Sequence, residues 1–248
     1  MKIIILGVTV ILLLLMSSCG TGRSTDNAPQ ETIASVVKTI TEGTVTDEEK
    51  MQKIFYFVRD EIKFGWIYPQ DIPAEEVLKN RKGVCMQKTN LLVAMAREAG
   101  LTARFHFMYV NKMALKDFLP DYAYKNWVDP FPHTFPEIYL NGKWVSMEAT
   151  FDQELHEICI QKKINFSRYD TIVDNISIEF SSEGVKGHQQ YVHADGNESF
   201  FGEDLTEFIE YMHEDVPWWK KMLQPKIFKD ADKIMNRLRN EYHEVEST

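Results

Sequence analysis

Asn141-Gly142 separates two segments of alternating polarity, residues 134–140 and 143–149. Both turn residues tolerate positive φ, so a two-residue turn closes and the segments pair as an antiparallel hairpin. The short loop fixes the register: Leu140 faces Lys143, Phe135 faces Glu148 and His133 faces Thr150. Opposed residues share a face, which makes His133 and Glu148 diagonal neighbours, about 7–8 Å apart at the backbone and within side-chain reach. A carboxylate there can hold an imidazole in the tautomer and orientation that a general base requires. If the strand runs further, Asp152 flanks His133 from the other side. The pattern therefore delivers a His–carboxylate pair with two candidate acids, and a purely structural contact is an equal reading of it.

Upstream of the hairpin the periodicity is helical. Thr46-Asp47-Glu48-Glu49 reads as a capping box, followed by Ile54, Phe55, Val58 and Ile62 on one face. A short helix is expected over residues 74–79. Gly83-Val84-Cys85 opens a longer helix with Leu91, Leu92, Met95 and Ala99 on one face, closed by Gly100. Residues 103–110 are aromatic-rich and read as a strand. The tail returns to helix through Leu205, Phe208, Ile209 and Met212, then through Ile227, Ala231, Ile234, Met235, Leu238 and Tyr242. Helices first and an antiparallel sheet afterwards place the chain in the α+β class.

The N-terminus reads as an export signal. Lys2 precedes a 14-residue apolar stretch from Ile3 to Met16, and Ser17-Ser18-Cys19-Gly20 follows. The stretch is short for a bilayer of about 30 Å and suits a signal-peptide core. Small residues before Cys19 resemble the lipobox of bacterial lipoproteins, with Met16 where Leu is commoner. An ordinary secretory signal with an incidental cysteine is the alternative. The expected organisation is a signal over 1–18, a tether over 19–30, a core over 31–160 and a C-terminal extension over 161–248, strands then helices, packed on the core. The expected location is the extracytoplasmic face of the cell membrane, with Cys19 lipidated. The net charge is −9, from 37 acidic and 28 basic residues, and no basic run is present. Nucleic acid is therefore not an expected partner.

Cys85 and Cys159 remain once Cys19 is assigned to export. Cys85 falls at a helix N-terminus, where unpaired amides and the helix dipole favour a thiolate and can hold an oxyanion. A small buried apolar residue, or a Cys85–Cys159 disulfide in an oxidising compartment, is the structural alternative.

Two blocks together resemble the transglutaminase-like (transglutaminase-core) superfamily. GVCMQKTNLLVAMAREAGLTARF, residues 83–105, resembles its nucleophile helix and the turn into a strand. HTFPEIYLNGKWVSMEATFD, residues 133–152, resembles its His strand, hairpin and acid strand. The similarity covers residues 46–152. It implies a papain-like core with a nucleophile helix packed on an antiparallel sheet, Cys85 as nucleophile and His133 as base. Glu148 stands where the family usually has Asp, Phe135 where Trp is common, and Pro136 inside the His strand implies an edge or a bulge.

The resemblance implies a cysteine-dependent amide hydrolase (peptidase or amidase) or acyl transferase working through a Cys85 thioester on a protein or peptide substrate. Glu148, or alternatively Asp152, would orient His133. The Cys85 backbone N–H would be one oxyanion donor, with Trp66 and Gln70 as candidates for the other. The rival expectation is a non-catalytic envelope protein that binds peptide or glycan. No cofactor is expected, and no metal: His188 and His193, five apart in a polar loop, read as solvated. Arg104 reads as a structural ion pair and Trp218-Trp219 as packing of the tail helix. Three Asn-x-Ser sequons, at Asn165, Asn175 and Asn197, are without consequence in a bacterial host.

Overall fold

Local capping explains where the first helices begin. The Thr32 hydroxyl caps α1 (Ile33–Ile40) in a reciprocal box with Ser35, and Thr46 caps α2 (Asp47–Tyr56) with Glu49 as the sequence predicts. Helix α2 runs into a wide helical turn, Phe57–Glu61. Then come the two-residue strand β1 (Lys63–Phe64), α3 (Ala74–Asn80), β2 (Lys82–Gly83) and α4 (Cys85–Glu98). Gly100 ends α4 in the left-handed region at φ 83°, with bonds from Gly100 N–H to the Arg97 carbonyl and from Leu101 N–H to the Ala96 carbonyl. The chain continues through β3 (Ala103–Val110), α5 (Asp121–Lys125), β4 (Phe131–Leu140), β5 (Lys143–Ser146), α6 (Gln153–Gln161), β6 (Phe200–Gly202) and α7 (Trp218–Glu246). This computed structural model describes residues 31–69, 71–110, 112–129, 131–162, 200–206, 209 and 218–247.

The class is α+β. The main sheet is antiparallel with strand order β5-β4-β3-β6, while β1 and β2 form a small parallel pair. Asn141 and Gly142 both take positive φ, and Leu140 pairs with Lys143 in the predicted register. Strand β5 stops at Ser146, three residues short of the expected end. Pro136 gives the physical reason. Its carbonyl accepts from Met147 N–H at 3.0 Å, so its nitrogen, which carries no hydrogen, faces β5 as well. Pro136 thus sits neither on an edge strand nor at a bulge, as the sequence implied. It lies in the central strand β4, at the point where pairing with β5 ends.

Two apolar clusters flank the sheet. The first joins α1, α2 and α4 to Phe105, Phe107, Ile138, Leu140 and Val145. The second gathers Phe64, Trp66, Phe118, Phe135 and Phe151 with the inner faces of α6 and α7. Helices α1 and α6 were not predicted, and α7 runs through Pro225, which sequence rules place at a helix start or break. The tail segment around Phe208 and Met212 lies outside the described residues. No helix among the described residues is long and apolar enough to cross a membrane.

Candidate active site

Cys85 is the first residue of α4, half-buried, immediately after Val84 in extended conformation. Its N–H belongs to the first helical turn, where amides have no partner inside the helix. The helix is locked onto the His strand: one turn after Cys85, the Thr89 hydroxyl donates to the Thr134 carbonyl at 3.1 Å. The helix that begins at Cys85 and the strand that carries His133 are therefore tied one turn into the helix and one residue after the histidine.

His133 lies against Glu148 and Cys85 together. Its Nε2 is 2.7 Å from Glu148 Oε2, and the Cys85 side chain lies within hydrogen-bond reach of the imidazole. Glu148 is 1% exposed, and its other oxygen accepts from Thr150 N–H at 2.9 Å. The carboxylate is held at both oxygens, so the longer Glu side chain meets the imidazole without freedom to wander. Burial alone would push the His133 imidazole down, but Glu148 and a negative charge on Cys85 raise it to about 10. At neutral pH it is an imidazolium beside the Glu148 carboxylate. The diagonal relation read from the hairpin register is realised in this contact.

Asp152, the other candidate acid, is occupied elsewhere. It caps α6 through Leu155 N–H at 3.3 Å and accepts from Phe64 N–H at 2.8 Å. Arg239 donates to both of its oxygens, at 3.1 and 2.6 Å. Burial opposes ionisation of Asp152, yet Arg239 holds its carboxyl below the usual carboxylate value. The strand does not run far enough to bring it beside His133. The disulfide alternative also fails. Cys85 and Cys159 are free thiols, and Cys159 sits in the apolar cluster under α6, where burial pushes its thiol up.

Trp66 follows β1 as Cys85 follows β2. In the parallel pair Phe64 faces Gly83, and Gly65 N–H bonds the Gly83 carbonyl at 3.1 Å, so Trp66 leaves β1 at the same end of the pair at which Val84 and Cys85 leave β2. The indole is 7% exposed and its Nε1–H, a donor, has no acceptor among the described residues. A buried unpaired donor costs about 1–3 kcal/mol, so it calls for an explanation. Arg104 forms the expected ion pair, donating to Glu137 Oε2 at 2.9 and 2.7 Å.

Sequence reasoning missed Lys88 and Arg239. Lys88, one turn after Cys85, is 1% exposed and donates to the Arg59 carbonyl at 3.0 Å, in the wide turn after α2. Burial lowers its ammonium to about 7 against the attraction of Asp152. The one signal for it is the position, on the inward face set by Leu91, Leu92 and Met95. Arg239 had only its place in the apolar stripe of α7. Gln70, His188, His193, the three sequons and the Cys19 signal lie outside the described residues, as do the side chains of Trp218 and Trp219. Among the described residues no cluster of His, Cys, Asp or Glu is suited to a metal ion.

Residues 34–149 match the profile of the transglutaminase-like superfamily. Among solved structures, the chain is similar to a provisionally assigned cysteine protease from Cytophaga hutchinsonii, with 19% identity and a TM-score of 0.37 over 48% of this chain and 36% of that one. It is also similar to a provisionally assigned protease from Parabacteroides distasonis, with 13% identity and a TM-score of 0.35 over 47% of this chain and 23% of that one. A third, a TGase, gives 11% identity and a TM-score of 0.34 over 48% of this chain and 29% of that one. The chain thus spans well under half the length of each. No curated protein sequence matches it significantly.

Proposed function

Residues 34–149 belong to the transglutaminase-like superfamily and carry its cysteine-dependent, enzyme-like fold, and on that premise we propose that the protein is a thiol hydrolase of amide bonds in the cell envelope. The observation that carries the reading is the His133 imidazole held between Glu148 at 2.7 Å and the Cys85 side chain.

The Cys85 thiolate attacks the carbonyl carbon of a peptide-like amide, and the carbonyl oxygen becomes an oxyanion. The Cys85 backbone N–H and the Trp66 Nε1–H, which has no partner among the described residues, donate to it. The imidazolium of His133 gives its proton to the amine as the C–N bond breaks, leaving a thioester on Cys85. Neutral His133 then takes a proton from water, whose oxygen attacks the thioester. The acid leaves and the thiolate–imidazolium pair is restored. Glu148 keeps the imidazole oriented and its charged form favoured.

Hydrolysis is preferred to transfer because it needs one specific substrate site rather than two. A glutamine-peptide library, incubated with and without a labelled amine, separates the two: free acid and ammonia are expected, and amine incorporation without hydrolysis would replace the hydrolase by a transferase. The Ser17-Ser18-Cys19-Gly20 segment supports anchoring at the extracytoplasmic face through Cys19. Labelled palmitate should enter the wild type and not Cys19→Ala.

A further inference from the structure

The outer edge of β1 is closed by side chains rather than by a strand. Lys63 and Gly65 turn their N–H groups to β2, bonding the Arg81 and Gly83 carbonyls at 2.9 and 3.1 Å. Alternation along the strand turns Phe64 and Trp66 the other way. There Phe64 N–H meets Asp152, the Phe64 carbonyl accepts from Arg239 at 2.6 Å, and Trp66 N–H donates to Asp232 Oδ1 at 2.8 Å. Arg239 and Asp232 both belong to α7. They lie on one stripe with Phe228, at helical spacings of four and seven residues. Phe228 stacks on the Trp66 indole, with centroids 4.8 Å apart and planes 15° apart, and Trp127 closes the indole's side at 5.4 Å. The second oxygen of Asp232 pairs with Lys82 of β2.

The approach of α7 is close. A Cβ on Gly65 would stand 2.6 Å from Lys82 Cδ and 3.0 Å from Asp232 Oδ1, so a larger residue there would have to push the Lys82 side chain aside. Asp232 is thus built into the β1–β2 pair at the residue before Trp66. It fixes the backbone of Trp66, and Phe228 fixes the plane of its ring. Both lie more than 75 residues beyond the end of the family match at residue 149.

We propose that α7 is part of the catalytic unit, with Asp232 as a positioning residue that aims the Trp66 indole N–H at the oxyanion formed on Cys85 chemistry. This rests on the thioester reading above. Asp232 itself touches no reacting atom. It acts through the Trp66 backbone, and Phe228 supports it through the ring.

Two reactions of Cys85 in the full-length protein test this. Iodoacetamide alkylates the thiolate by displacement at carbon and forms no oxyanion; p-nitrophenyl acetate acylates it through one. Trp66→Phe should slow acylation by about 10²–10³-fold, the usual loss of one oxyanion donor. Asp232→Ala should slow it by at least about 10-fold, and Asp232→Asn, which keeps an oxygen for the Trp66 N–H, should recover most of the rate. Alkylation rates and their pH profiles should match wild type in all three. Should Asp232→Ala not fold, Phe228→Leu carries the test, with the same selective loss expected. Selective slowing in Trp66→Phe with wild-type acylation in Asp232→Ala, or in Phe228→Leu where it stands in, overturns the positioning role. Equal losses in alkylation and acylation reduce Asp232 to a structural residue. Absence of any acyl-enzyme from wild type defeats the thioester reading itself, and the positioning role with it.

Discussion

Replacing Glu148 by Gln removes a charge while leaving size and hydrogen bonding nearly intact, which isolates the electrostatic part of the site. Glu148 Oε2 lies 2.7 Å from His133 Nε2, and both side chains are withdrawn from water. The imidazole stands at about 10 rather than 6.5, although burial, the largest single influence, acts to lower it. Glu148 is the first of the groups that overcome burial. Without its charge, burial opposes the Cys85 contribution alone, and the imidazole moves down from about 10. Each unit of that fall is worth about 1.4 kcal/mol, or tenfold in the population of the ion pair. Turnover of an amide substrate should fall by about 10²–10⁴-fold, and iodoacetamide labelling of Cys85 at pH 7 should slow in parallel. The assay is a pH series of labelling rates from pH 5 to 10, with adducts located by peptide mass. In wild type, labelling should be fast near pH 6, and in Glu148→Gln that limb should move upward toward an ordinary thiol, near pH 8.5. An unchanged profile in Glu148→Gln, together with its collapse in Asp152→Asn, would refute the assignment of Glu148.

Arg239→Met leaves the Asp152 carboxylate buried without its guanidinium, and should cost about 3–5 kcal/mol in a urea melt, while the folded variant keeps the wild-type pH profile of Cys85 labelling. Lys88→Met should stabilise the protein. Its folded ammonium titrates at about 7 against 10.5 unfolded, so the lysine's penalty is absent above pH 10.5 and complete below about 7, on the order of a few kcal/mol. A variant whose advantage does not grow as pH falls between those limits contradicts this. His133 has the opposite sign. Its proton is bound more tightly in the folded state, so its contribution is complete below pH 6.5 and is lost as pH rises through about 10. The stability gap between wild type and His133→Gln should accordingly narrow across that window, read from paired urea midpoints.

The helices that carry the core and the hairpin that carries His133 and Glu148 follow from local rules, because their causes are local. Capping hydroxyls at Thr46, a left-handed glycine after α4 and a two-residue Asn-Gly turn each act within a few residues. Register starts the approach from Leu140 facing Lys143 to Glu137 facing Ser146, and beyond the end of β5 the Thr150 N–H and His133 itself hold the Glu148 carboxylate. Helix α6 was missed because its start depends on Asp152, which the same reasoning held open as a possible strand residue and acid. Pro136 misled for a related reason. A proline's missing N–H matters only on the side where a partner strand is still present, and that depends on where β5 ends.

The choice between Glu148 and Asp152 shows where local reasoning stops. Both carboxylates lie within four residues of each other, and both are buried. What separates them is Arg239, 87 positions downstream of Asp152, which takes both its oxygens. A carboxylate bonded to a guanidinium and two backbone N–H groups has little left to offer an imidazole. One that meets a backbone N–H through one oxygen holds His133 with the other. The same helix that claims Asp152 also holds Trp66 through Asp232. The Asp152 carboxylate and the Trp66 backbone are therefore both held by the docking of α7 against β1. A sequence shows the residues of that event only as an apolar stripe with an aspartate and an arginine in it.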